Sequence, residues 1–167
     1  MTEVVFSTIH GSHLYGMAND TSDTDVFRVT TGTMPRAHHS VDRLTLVDTC
    51  TVGWDTYLKR IFEGSHQSVE ALFSPFKVWH SHEELRDFIE GMRVTGPRVF
   101  EKYERTIKRF CYGDFKRRRH AVRLNLNLAD LRNEGRFNPV MMPFAVQYAN
   151  NLATEWEGED LWLKLVG

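Results

Sequence analysis

A chain of 167 residues, 41% hydrophobic and 26% charged with a net charge of −1, has the profile of a folded globular protein. It excludes a disordered, fibrous or collagen-like one. Cys50 and Cys111 stand far apart without a C-x-x-C pair, which argues against a disulfide framework or a structural zinc site. No apolar run approaches 18 residues and no basic, apolar leader opens the sequence, so the expectation is a protein without a membrane span or signal peptide, in the cytoplasm.

The elements follow in chain order. Val4 to Ile9 is β-branched and ends at Gly11, the pattern of a buried strand. Thr24 to Thr31, with Val26, Phe27 and Val29, predicts a second strand, and Leu44-Thr45-Leu46-Val47 a third; residues 31–42 between them predict a polar loop. From residue 53 the period lengthens. Trp54, Tyr57, Leu58, Ile61 and Phe62 share one helical face, and a short helix is expected over residues 68–73 before Pro75. Ser81-His82-Glu83-Glu84 has the form of a capping box, with Leu85, Phe88, Ile89 and Met92 behind it. Gly96-Pro97 opens a further helix whose apolar face is Phe100, Tyr103, Ile107 and Phe110. Asp114 caps a long helix running to Gly135, Pro143 to Ala153 forms another, and the acidic residues from Glu155 onward predict a partly mobile tail. Strands interleaved with short helices, then helices alone, imply an α+β fold. The division is a catalytic core over residues 1–80, a helical part over 81–154 and the tail over 155–167.

The chemistry concentrates between Gly11 and Asp25. A strand runs into Gly11-Ser12, and Asp23-Thr24-Asp25 follows at the start of the next strand. Glycine lets backbone approach a phosphate that a Cβ would obstruct. Ser12 is expected at the start of a short helix, where free N–H groups favour an anion. In D-x-D on a strand the period of two points both carboxylates to one face. Their mutual repulsion is relieved by divalent cations, Mg²⁺ or Mn²⁺, which also neutralise phosphates. A third carboxylate is expected from Asp48, on a neighbouring strand, with Asp55 and Glu70 as alternatives. Read more simply, residues 21–25 are a polar turn; the preceding Gly-Ser at the end of an apolar strand favours the metal site.

Between Lys102 and Arg123 nine Lys or Arg stand against Glu104 and Asp114, a net +7 that leaves −8 for the rest. That asymmetry points to a polyanion-binding surface, with Phe110, Tyr112 and Phe115 interleaved for stacking on bases. The plainer reading is a solvated face whose arginine stems cover the core. Lys116, His120 and Arg123 share one face of the long helix and are the candidates for phosphate contacts; His120 is equally readable as a core histidine.

Gly11-Ser12, Tyr15-Gly16 and Ser22-Asp23-Thr24-Asp25 together resemble the signature of minimal nucleotidyltransferases of the DNA polymerase β superfamily. The chain is most similar to the RNA-ligase-associated nucleotidyltransferases of bacteria and phages, which are linked to RNA repair. Asp25 to Val29, the Glu70-Ala71-Leu72-Phe73-Ser74-Pro75 segment, and Lys116, His120-Ala121 and Arg123 extend the likeness. Gly64-Ser65-His66-Gln67 departs from the family's usual Gly-Asn-Pro there. The resemblance implies a polymerase-β-like core, a small mixed sheet with flanking helices, followed by a helical C-terminal half. It implies transfer of a nucleoside monophosphate from an NTP to an acceptor hydroxyl. Asp23, Asp25 and Asp48 would hold the metals and Gly11 and Ser12 the terminal phosphates. The implied acceptor is RNA, in a bacterial or phage-infected cell. A protein acceptor and a non-catalytic nucleotide- or RNA-binding homologue are the alternative readings.

Overall fold

The computed structural model describes residues 1–167. Its first half is organised by five strands: β1 (Val4–His10), β2 (Thr24–Thr30), β3 (His38–Asp42), β4 (Val47–Gly53) and β5 (Val78–Trp79). They form one mixed sheet in the order β3-β4-β2-β1-β5. The helix α1 (Gly11–Tyr15) joins β1 to β2, and α2 (Trp54–Phe62) and α3 (His66–Phe73) follow β4. After β5 the chain is helical: α4 (Arg86–Gly91), α5 (Pro97–Cys111), α6 (Phe115–Glu134), α7 (Pro143–Glu155) and α8 (Gly158–Val166). The α+β class and the small mixed sheet are those expected. One contiguous core runs from Phe6, Phe27 and Val52 in the sheet through Tyr57, Ile107 and Leu128 to Leu161.

The pairing that positions Asp25 and Asp48 is β2 with β4. It is parallel, and its register sets Asp25 opposite Asp48 and Val29 opposite Val52. β1 pairs antiparallel to β2 on the other side, with His10 opposite Asp25. The long helix α6 is fixed at both ends by its sequence. Asp114 Oδ1 accepts from the Arg117 N–H at 2.9 Å, and Gly135 closes the helix in the left-handed region at φ 70°.

Four local expectations are corrected. The third strand does not start at Leu44: residues 43–46 turn between β3 and β4, Val47 opens β4, and Leu44 and Leu46 project into solvent at 96% and 61% exposure. Their alternation mimicked a strand, whereas the true β3 is an exposed polar edge with no hydrophobic period to read. Asp42 Oδ1 organises the turn by accepting from the Leu44 and Thr45 N–H groups at 2.8 and 3.2 Å. The two-residue β5 went unread because it is too short to show a period.

The capping box at Ser81 does not form. Its hydroxyl donates instead to the Val4 carbonyl at 2.6 Å, securing the chain to β1, and a short 3₁₀ turn (Glu83–Leu85) precedes α4. Residues 158–166, read as part of an acidic tail, are a helix. Leu161 of α8 is fully buried, while Glu159 and Glu157 reach Lys108 and Arg118 at 3.9 and 3.7 Å. The acidic residues therefore fold back onto the basic ones.

Leu46 sits at φ 56°, a conformation costing an L-residue roughly 1–2 kcal/mol unless it is Gly or Asn. Leu46→Asn is expected to raise stability by about 1 kcal/mol, read as a higher urea midpoint with unchanged slope.

Candidate active site

Strand β1 delivers His10 and then Gly11, where the backbone turns at φ 62°. A Cβ on Gly11 would lie 2.1 Å from Asp25 Oδ2. Only glycine, with neither the steric bulk nor the backbone penalty, lets the β1–α1 turn and the Asp25 carboxylate share this space. Gly11→Ala is therefore expected to displace the carboxylate. Any activity that depends on the placement of Asp25 should drop about 10²-fold, the scale of a misplaced reacting group, against a stability loss of only about 1–2 kcal/mol.

Because residues directly opposite in neighbouring strands project to the same face, the β2–β4 register puts the Asp25 and Asp48 carboxylates side by side. Burial pushes the Asp25 carboxyl above its usual range; His10 opposes the rise, Asp48 adds to it, Lys116 opposes it and Asp23 adds to it. Asp48 Oδ1 is buried without a hydrogen-bond partner, and His39 Nδ1 approaches it only to 3.8 Å. A crowded carboxylate and a neighbouring orphaned oxygen describe a site short of positive charge.

Two adjoining cavities open here. The first, about 250 Å³, is bordered by Gly11, Asp25, Asp48, His120 and Arg123; the second, about 420 Å³, by Asp23, Thr21, Phe115 and Arg119. Ser12, Asp25 and Lys116 line both. All eight residues singled out from the sequence thus border one cavity or the other. Asp23 stands just before β2 rather than on it. Of the alternative third carboxylates, Asp55 is exposed in the first turn of α2, and Glu70 is fully buried with partners of its own.

Those partners change the meaning of Arg123. Its Nη1 lies 2.6 Å from Glu70 Oε1, its Nε donates to His120 Nδ1 at 3.2 Å, and its guanidinium carbon stacks 3.6 Å from the Tyr15 ring centre. The Tyr15 hydroxyl donates to Glu70 Oε2 at 2.5 Å, and His10 Nε2 stands 3.6 Å from the same oxygen. Although Arg123 borders the first cavity, its charge is spent on Glu70, so it serves to tie α6 to α3 and α1. Burial alone would raise the Glu70 carboxyl, but Arg123 foremost outweighs it and holds the group at about 2.

His10 and His66 are both pushed down by burial. Burial, then the neighbouring Arg123, takes His120 to about 3. The sequence reading missed Glu70, Tyr15, His10 and His66 as members of this network. A signal existed: Glu70 stands among Val69, Ala71, Leu72 and Phe73, and a carboxylate buried with so apolar a run requires a cationic partner.

The oxygen donors suit a hard divalent cation. No three His, Cys, Asp or Glu side chains stand close enough together to enclose a metal ion by themselves. Mg²⁺ is commonly held by one or two carboxylates with substrate phosphates and water completing its shell. Asp25 and Asp48, with an unsatisfied oxygen between strands and a glycine turn beside them, fit that pattern.

No protein-family model matches the sequence, and no curated protein does. Among solved structures, a nucleotidyltransferase-like protein from Exiguobacterium sibiricum 255-15 aligns over 98% of this chain and 65% of that one, with 11% identity and a TM-score of 0.42. The chain therefore spans just under two thirds of the length of that structure.

Proposed function

We propose that the protein is a metal-dependent nucleotidyltransferase that moves a nucleoside monophosphate from an NTP to an acceptor hydroxyl. The observation carrying this reading is the parallel register that pairs Asp25 with Asp48 beside the Gly11 turn, in a cavity that Lys116 also borders. Asp25 and Asp48, joined by Asp23, would hold Mg²⁺ or Mn²⁺, which supplies charge neutralisation at the phosphates when bound. Gly11 and Ser12 offer the triphosphate close backbone approach, and Lys116 contributes a mobile positive charge to it. The acceptor oxygen forms a bond to the α-phosphorus while the bond from that phosphorus to the β-bridging oxygen breaks. The hydroxyl proton leaves to solvent and pyrophosphate is released. Positioning and charge neutralisation carry the catalysis, since the reaction asks for no covalent intermediate on the protein.

RNA is the acceptor this reading favours. The second cavity joins Lys116 and Arg119 to the half-exposed Phe115 ring, a combination that suits a phosphate backbone and a stacked base. The test is incubation of the purified protein with each labelled NTP, Mg²⁺ or Mn²⁺, and total RNA. Label is expected in RNA, with equimolar pyrophosphate. Label on protein would replace the acceptor class, and pyrophosphate formation from none of the four nucleotides would end the enzymatic reading.

A further inference from the structure

The two cavities share charged groups but differ in the rest of their linings. Ser12, Asp25 and Lys116 border both, Asp48 borders the first alone, and the second cavity continues with Asp23 and Arg119. The side of the first cavity lined by α3, α5 and α6 is different in kind. It is built by His66 and Gln67 at the start of α3, Phe110 near the end of α5 and His120 on α6. No uncompensated charge faces the ligand there, because Arg123, the one cation on that wall, is paired with Glu70 at 2.6 Å.

The groups on that wall are flat and directional. The His66 and Phe110 rings stand edge to face, with centroids 6.0 Å apart at 80°. Gln67 is exposed and carries an amide with both donors and an acceptor. The state of His120 is set by geometry: Arg123 Nε–H donates to its Nδ1, so that nitrogen carries no proton. In the neutral ring the proton must then sit on Nε2, which makes His120 a donor of fixed tautomer. Burial and the adjacent guanidinium keep the ring neutral throughout the physiological range. It therefore serves neither as a cation for phosphate nor as a base for the acceptor hydroxyl.

We propose that this wall, His66, Gln67, Phe110 and His120, is the nucleobase subsite, so that the NTP lies with its base in the first cavity and its phosphates at Asp25 and Lys116. The inference rests on the nucleotidyltransferase reading and adds the orientation of the substrate and the residues that select its base. A planar, uncharged heteroaromatic ring with donors and acceptors on its edge is the ligand such a wall matches. A void of about 150 Å³ takes a benzene ring, and this cavity of about 250 Å³ leaves room for a larger one. Fixed hydrogen-bonding groups discriminate strongly, since a ligand lacking their complement leaves them unpaired.

The experiment is calorimetric titration of the protein, with Mg²⁺ present, by ATP, GTP, CTP, UTP and inorganic tripolyphosphate. One nucleotide is expected to bind at least about 10-fold tighter than tripolyphosphate and than the least favoured nucleotide, the scale set by one or two satisfied hydrogen bonds. In the His66→Ala, Gln67→Ala double variant that advantage is expected to shrink to about 2-fold while tripolyphosphate affinity stays put, which also reports an intact fold. The subsite is refuted if the wild type grips nucleotides no better than tripolyphosphate, or if the discrimination survives the double variant. A parallel loss of tripolyphosphate binding in the variant also refutes it. If neither tripolyphosphate nor any nucleotide binds the wild type, the nucleotidyltransferase reading falls, and the subsite with it.

Discussion

Asparagine in place of Asp25 is expected to lower nucleotidyl transfer by about 10³-fold, corresponding to some 4 kcal/mol of lost charge stabilisation at the reacting phosphate. The same change is expected not to lower the urea midpoint. Burial and the adjacent Asp48 and Asp23 already disfavour the ionised Asp25 in the folded protein, though His10 and Lys116 partly offset them. A neutral isostere relieves that crowding. Opposite signs for activity and stability mark a residue kept for chemistry at some expense to the fold. Steady-state rates and urea melts on one protein preparation decide the matter. A variant that is both active and unstable would identify Asp25 as a structural residue of β2. Mg²⁺-dependent tightening of nucleotide binding should vanish alongside the rate.

The largest loss of stability is expected from Arg123→Met. Methionine fills much of the volume but leaves Glu70 buried with only hydrogen bonds for company, and breaking a buried pair on one side costs roughly 3–5 kcal/mol. The pH dependence of that loss follows from the direction of the shift. In the wild type Glu70 titrates at about 2, below its ordinary 4.5, so its stabilising contribution is complete above pH 4.5 and disappears as the pH falls toward 2. Without Arg123, burial dominates and the carboxyl rises above 4.5. Its contribution then recovers as the pH drops and the folded protein takes up a proton. The gap between variant and wild type is therefore expected to narrow from pH 7 to pH 5 in denaturant melts. A pH-independent gap would mean that the lost packing on Tyr15, not the stranded charge, sets the cost. Adding Glu70→Gln to Arg123→Met should restore part of the stability at pH 7 for the same reason.

How far the sequence could be read depended on whether a residue's role is local. Gly11, Ser12 and the D-x-D pair announce themselves through short-range pattern, and Asp48 followed from requiring a partner on an adjacent strand. That partnership is seen in the β2–β4 register, although the strand drawn through Leu44 and Leu46 was misplaced. Strand β3 was invisible because all five of its residues are exposed, and hydrophobic period is the main signal of strands. Helix α8 was hidden by acidic composition; its apolar anchor, Leu161, has meaning only against α5. Arg123 and Glu70 lie 53 positions apart. Each alone resembles a solvent-facing helix charge, and only the three-dimensional pairing converts a presumed phosphate ligand into a brace for Tyr15 and His120.

The two strands bearing Asp25 and Asp48 hydrogen-bond to each other directly, so backbone rather than loop conformation sets the spacing of these carboxylates. The excursion between them, residues 31–46, crosses to the sheet edge as β3 and returns through the turn at 43–46, whose residues border neither cavity. That turn can be lengthened, shortened or exchanged at little thermodynamic cost, because closure entropy grows only slowly with loop length. Grafting a foreign segment at positions 43–46 is expected to leave the spacing of Asp25 and Asp48 unchanged.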